Sequence, residues 1–274
     1  MDIKEIERVV ASVQHAVFRN ANSMSAGALR SRFRGAGLQF REHQIYTHGD
    51  DVRFIDWKVS ARTSHVHLKT FEEDRNVEIC VVLDIGPASF YGSRGVTKLQ
   101  MALEITALLY LLAQETHDQV RVLILHNQQR TELPPKKGRE GLILFISQLE
   151  KLDFLTTDGK TNLHKQYKLT ENSANFVETE LKKQLARKKE IVYLGDMGNL
   201  PEEGEFARIT QDPRFHGIRL LSPIDVGPLK FSFSTARGKL AGLAAPRGVS
   251  GLVKRFPVIT SDERYLELFL RRIR

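Results

Sequence analysis

From residue 77 onward the apolar positions fall into short dense runs separated by longer mixed stretches. Val77-Glu78-Ile79-Cys80-Val81-Val82-Leu83, Val120 to Leu125 and Ile191-Val192-Tyr193-Leu194 are nearly continuous in apolar side chains, and Phe215 to Leu221 supplies one more, less regular run. Such runs read as strands buried on both faces. Between them, Lys98 to Thr116 sets Leu99, Ala102, Leu103, Thr106, Leu109, Tyr110 and Ala113 at helical spacing, and Leu142 to Leu149 continues the pattern. Glu171 to Lys189 predicts a lysine-rich helix. Glu263 to Arg272 predicts a terminal helix with arginines at the end where they complement the macrodipole. Buried strands alternating with helices predict an α/β fold: a doubly wound, mostly parallel sheet with helices on both faces and right-handed crossovers.

The region before residue 77 has a different texture. Ile3, Ile6, Val10, Val13 and Val17 form one apolar stripe of a helix over residues 3–20. A shorter helix is predicted over 26–33, and Gly35 and Gly37 allow a turn. From Leu38 to Glu73 charged residues alternate with Phe40, Ile45, Tyr46, Val52, Ile55, Trp57, Val66, Leu68 and Phe71. His65 to Lys69 alternates as a half-buried strand does, and a short helix is expected near Asp56 to Ala61. Leu229 to Gly251 predicts short strands or a hairpin. Residues 1–75 are thus expected to form a small appendage of helix and short strands, packed on a main domain over 76–274.

Composition narrows the classes. The chain has 274 residues, 41% hydrophobic and 27% charged, enough for one large core and a modest addition. Its formal charge of +8 permits an acidic partner. Basic residues are interleaved with acids, so nucleic-acid binding through Lys182, Lys183, Arg187, Lys188 and Lys189 with Lys136, Lys137 and Arg139 is the secondary reading. One cysteine, Cys80, excludes an intramolecular disulfide and a cysteine zinc cage. No apolar run approaches the roughly 20 residues that span a bilayer, and the N-terminus lacks a signal-peptide core. The expectation is a cytoplasmic protein, with peripheral membrane docking left open.

Ligands of open α/β sheets bind at the carboxyl ends of the strands. Two strands end there in an acid: Val77 to Leu83 in Asp84, and Ile191 to Leu194 in Gly195-Asp196. Thr161 is a third oxygen donor at the start of a helical stretch. Asp84, Thr161 and Asp196 are therefore candidate ligands of a hard cation such as Mg²⁺ or Mn²⁺. Gly159-Lys160-Thr161 lacks the earlier glycine of a phosphate-binding loop, and no nucleophile elbow or Ser-His-Asp arrangement is present. A divalent-metal-dependent hydrolase rests only on the two strand-end carboxylates.

The block Arg34 to Glu42, then Tyr46-Thr47-His48-Gly49-Asp50-Asp51-Val52-Arg53-Phe54-Ile55-Asp56-Trp57-Lys58-Val59-Ser60-Ala61-Arg62, then Phe71-Glu72-Glu73-Asp74-Arg75, closely resembles the domain of unknown function 58 family. The resemblance covers about residues 30–230. It implies a von Willebrand factor A-like fold, whose metal-ion-dependent adhesion site uses Asp-x-Ser-x-Ser with a distant Thr and a distant Asp. By that pattern the first Asp is Asp84, the Thr is Thr161 and the last Asp is Asp196. The two serine positions are Gly86 and Ala88, with Ser89 displaced by one, so the implied site is degenerate and holds a cation mostly through water.

The resemblance further implies a non-enzymatic, chaperone-like adaptor that works with a MoxR-type AAA+ ATPase in the assembly or maturation of other proteins. Arg53 and Trp57 in the signature, with Ser89 in the loop after Asp84, are the candidate partner contacts. The even mix of acids and bases in the signature also predicts mutual ion pairs that fix the appendage.

Overall fold

The computed structural model describes residues 37–272 except 48–49, 75–76, 94–95, 157–158, 164–167, 199, 201–203, 223–224, 226–232, 236–237, 241–252 and 262–263. The helices expected over 3–20 and 26–33 lie outside the described residues.

The first described element is β1 (Gly37–Ile45), which pairs antiparallel with β2 (His67–Asp74). Between them lie a 3-10 turn (Val52–Phe54) and α1 (Trp57–Ser60), the short helix expected from sequence. Next come β3 (Glu78–Ile85), the small ribbon β4 (Gly92–Ser93) and β5 (Val96–Thr97), and α2 (Lys98–Thr116). They are followed by β6 (Gln119–His126), β7 (Gln129–Lys136) and α3 (Gly138–Lys151), then α4 (Ala174–Ala186) and β8 (Glu190–Gly195). The remaining elements are α5 (Glu205–Gln211), β9 (Phe215–Leu221), the hairpin β10 (Phe233–Thr235) and β11 (Gly238–Leu240), β12 (Val258–Thr260) and α6 (Tyr265–Arg272).

The main sheet runs β12-β9-β8-β3-β6-β7, parallel throughout except for antiparallel β7. Strand alternation divides its side chains between two cores. Ile79, Val81, Leu83, Val122, Ile124, Val192 and Leu194 face α2, α3 and α6, whereas Cys80, Val82, Leu123, Ile191 and Tyr193 face α4 and α5. Both faces are covered, so the strands read as continuously apolar.

Three differences from the sequence expectation have physical causes. The helix expected from Glu171 starts at Ala174, because Ser173 caps it, its Oγ accepting from Phe176 N at 3.3 Å, while Glu171 and Asn172 bind elsewhere. It ends at Ala186, and Lys188 takes a left-handed conformation (φ 56°) before β8. Strand β7 was not expected, since Pro134 and Pro135 obscure it; an edge strand tolerates them, and its register shifts opposite Arg121.

Candidate functional site

The order of the sheet reverses at β3, which leads through α2 to β6 on one side and pairs with the later β8 on the other. The carboxyl ends of β3 and β8 flank this switch point, the place where such sheets bind ligands. Asp84 is the penultimate residue of β3, and each of its carboxylate oxygens accepts a hydrogen bond from the protein. Tyr193 OH donates to Oδ2 at 2.5 Å and Asn172 Nδ2 donates to Oδ1 at 2.6 Å. Gly195 leaves room beside it, since a Cβ there would stand 3.2 Å from Asp84 Cβ.

Asn172 extends this contact into a clamp. Its Oδ1 accepts from Gln128 N at 3.0 Å, Gln128 Nε2 donates to Glu171 O at 2.8 Å, and Ser173 Oγ donates to Gln128 Oε1 at 2.8 Å. Asn127 Oδ1 accepts from Thr170 N at 2.8 Å. Asn127 and Gln128 are the two left-handed residues (φ 49° and 59°) of the β6–β7 turn, a conformation that suits a tight hairpin. Asp84 therefore anchors the loop before α4 to the sheet. Burial pushes its carboxyl up to about 6, opposed by Tyr193 and Asn172 and reinforced by nearby Asp196 and Glu171. Burial and the Asp84 charge raise the Tyr193 phenol well above its usual range, so it stays a donor.

On the other side of the strand ends stands Lys98, the first residue of α2 and only 3% exposed. Its Nζ donates to Asp225 Oδ2 at 3.0 Å and lies 3.7 Å from Asp196 Oδ2. Asp225 Oδ2 also accepts from Ser222 N at 2.7 Å and Ser222 Oγ at 2.8 Å. Burial alone would raise the Asp225 carboxyl, but Lys98 and Ser222 outweigh it and hold the group below its ordinary value.

Asp84 and Asp196 thus end neighbouring strands and border one small cavity, as their positions in sequence suggested. Thr161 sits at the start of α2 instead, sharing a 3.0 Å hydrogen bond with Thr97 Oγ1 and donating to Gln100 Oε1 at 3.3 Å. Ser89 Oγ accepts from Gly86 N at 3.2 Å. Among the described residues no group of three or more His, Cys, Asp or Glu side chains is arranged to hold a metal ion. Sequence reasoning missed Tyr193, Asn172, Lys98 and Asp225. One signal was available: a lysine in the first turn of a helix opposes the macrodipole, so it calls for carboxylates nearby.

The signature segment folds through its acids. Asp50 Oδ2 accepts from Thr47 N and Oγ1 at 2.9 and 2.7 Å. Asp51 caps the 3-10 turn and pairs with the Arg53 guanidinium at 2.6 Å, which lowers its carboxyl to about 2. Asp56 caps α1 through Lys58 N and Val59 N, while its other oxygen meets His43 at 3.0 Å and Lys69 at 3.3 Å. The contact with His43 holds its carboxyl far below the usual range. Ser60 Oγ accepts from His67 N at 2.8 Å, closing the segment onto β2. Trp57 nevertheless remains 70% exposed, and Ile45, Val52, Phe54 and Val66 are exposed with it. Arg53 and Trp57 therefore lie on this appendage, and Ser89 on the main sheet's carboxyl edge.

The basic residues of α4 and its neighbours are largely matched by acids. Lys182 meets Glu178 and Glu205, Lys183 meets Glu180, Arg187 meets Glu132, Lys189 meets Glu78 and Lys136 meets Glu140. Phosphate binding needs uncompensated cations, which this pairing reduces.

The fold and the strand-end cluster define an α/β domain with a small antiparallel appendage. The sequence profile described as "Protein of unknown function DUF58" matches residues 41–191, more than half of the chain, and the chain belongs to that family. Uncharacterized proteins of Mycobacterium tuberculosis (strain H37Rv) and Mycobacterium bovis are each 31% identical over 106 residues, 39% of this chain and 33% of theirs. The match thus spans about a third of the length of those relatives. Among solved structures, an aerotolerance-related membrane protein from Bacteroides fragilis with multiple mutations to serines is similar with a TM-score of 0.41 and 13% identity, covering 72% of this chain and 98% of that one. Among the described residues no helix is long and apolar enough to cross a membrane.

Proposed function

We propose that this chain is a non-enzymatic interaction adaptor that engages a MoxR-type AAA+ ATPase in the assembly or maturation of other proteins. The observation that carries this reading is the exposure of Trp57 within the family signature. A tryptophan 70% in solvent, beside exposed Val52 and Phe54, gains nothing from burial in the chain's own core. Aromatic and arginine side chains dominate interface energetics, and the exposed Arg53 guanidinium, paired with Asp51, belongs to the same signature segment. At the carboxyl edge both oxygens of Asp84 are occupied by fixed donors, which suits a positioning role better than proton transfer.

The test is binding of the full chain to the purified AAA+ ATPase of that class from the same source, with ATP, by calorimetry. Trp57→Ala is expected to weaken binding by about thirtyfold, the effect of a hot-spot residue, with unchanged circular dichroism. An absence of binding by the wild-type chain overturns the partner. Equal binding by the variant overturns the surface.

A further inference from the structure

The family resemblance implies a divalent cation at the ends of β3 and β8, and the residues there do not fit one. Each Asp84 oxygen already accepts a hydrogen bond of 2.5 or 2.6 Å from a buried donor. Gly86, where the pattern asks for a serine hydroxyl, lies under Glu171: a Cβ at this position would stand 2.5 Å from Glu171 Oε2. Thr161 is bound to Thr97 and Gln100. The cavity bordered by Asp84, Ser89, Lys98 and Asp196 has a volume of about 10 Å³. That is room for about one water molecule, whereas a Mg²⁺ ion with few protein ligands keeps several waters.

A positive charge is present all the same. The Lys98 ammonium sits between Asp225 and Asp196, 3.0 and 3.7 Å from their oxygens, and is almost wholly buried. Its place at the first turn of α2 is the unfavourable end of the helix dipole, and a buried ammonium needs compensation. The two carboxylates supply it. We infer that Lys98 is the resident cation of this edge, joining the loop after β8 to Asp225 as a metal ion would, so that the native protein takes no divalent ion here. The inference is independent of the proposed partner.

Mn²⁺ binding to the full chain, read by electron paramagnetic resonance, together with thermal unfolding, tests it. The wild-type chain should leave added Mn²⁺ free and show the same unfolding midpoint with Mn²⁺ or with a chelator. Lys98→Ala and Lys98→Gln remove the ammonium that lies against both Asp196 and Asp225, leaving these acids the more distant charge of the buried Arg219. These variants should unfold at lower temperature, bind Mn²⁺ at least about tenfold more tightly than wild type, and recover part of the lost midpoint when it is added. Wild-type binding of Mn²⁺ that disappears in Asp196→Asn overturns the inference, as do folded Lys98 variants with no gain in Mn²⁺ affinity. Should both variants fail to fold, adding Asp225→Asn to Lys98→Gln removes the carboxylate that Lys98 contacts most closely and restores the local charge balance. Recovery of the fold then supports Lys98 as the compensating cation, and continued failure overturns it.

Discussion

At the scale of single residues, Asp84 has the sharpest pH signature. Its carboxyl is pushed up to about 6 in the folded chain, against 3.8 for the free group. Between those values the native state holds a proton that the unfolded chain has released, so stability falls as pH rises from about 4 to about 6 and is flat beyond. The full effect is at most about 3 kcal/mol, less as far as solvent reaches the partly exposed residue. Asp84→Asn keeps an acceptor for one neighbour, and the Tyr193 hydroxyl can turn to accept from the new amide. The difference in urea midpoint between Asp84→Asn and wild type should therefore grow in the variant's favour from pH 4 to pH 7. A constant difference across that range would show that Asp84 does not titrate there. Asp84 itself was legible in the sequence as the acid ending a buried run. Its donors were not: Tyr193 looks like any strand aromatic, and Asn172 comes from a loop that only the tertiary fold brings across.

At the scale of elements, the terminal helix is coupled to the site by polar contacts inside an apolar interface. In α6, Tyr265, Leu266, Phe269 and Leu270 are buried against the core. The Tyr265 hydroxyl donates to the buried Glu104 carboxylate of α2, whose other oxygen accepts from Gln100 Nε2 at 2.9 Å. Gln100 in turn holds Thr161. Tyr265→Phe keeps the packing but removes a donor from a buried acid, a loss of about 1.5–3 kcal/mol for a charged partner. Hydrogen exchange should show protection falling most in 265–272 and around Glu104, with β3 less affected. A uniform loss over the chain would mean that the contact is not local. The helices and central strands were readable because hydrophobic period reports burial. Pairing was harder to see: β7, with its two prolines, and the start of α4 depend on neighbours that periodicity does not encode.

At the scale of the whole molecule, Cys80 reports on the sheet as a unit. It lies on β3, paired with β8 on one side and β6 on the other, and its side chain packs in the core beneath α4 and α5. Burial pushes its thiol up to about 12, so almost none is thiolate at pH 8, and the thiolate is the form that reacts with disulfide reagents. Ionisation and access require α4 and α5 to lift from this face of the sheet, or β3 to leave its neighbours. No edge fraying achieves that, because β12, β9 and β8 lie on one side of β3 and β6 and β7 on the other. Labelling at pH 8 should be negligible in native buffer and accelerate with urea, with a slope equal to the m-value of global unfolding measured by circular dichroism. Labelling with a shallow urea dependence would instead reveal a local opening, with α4 and α5 lifting from the sheet. The carboxyl edge would then be a movable part of the fold, and its Asp84 clamp a latch rather than a fixed brace.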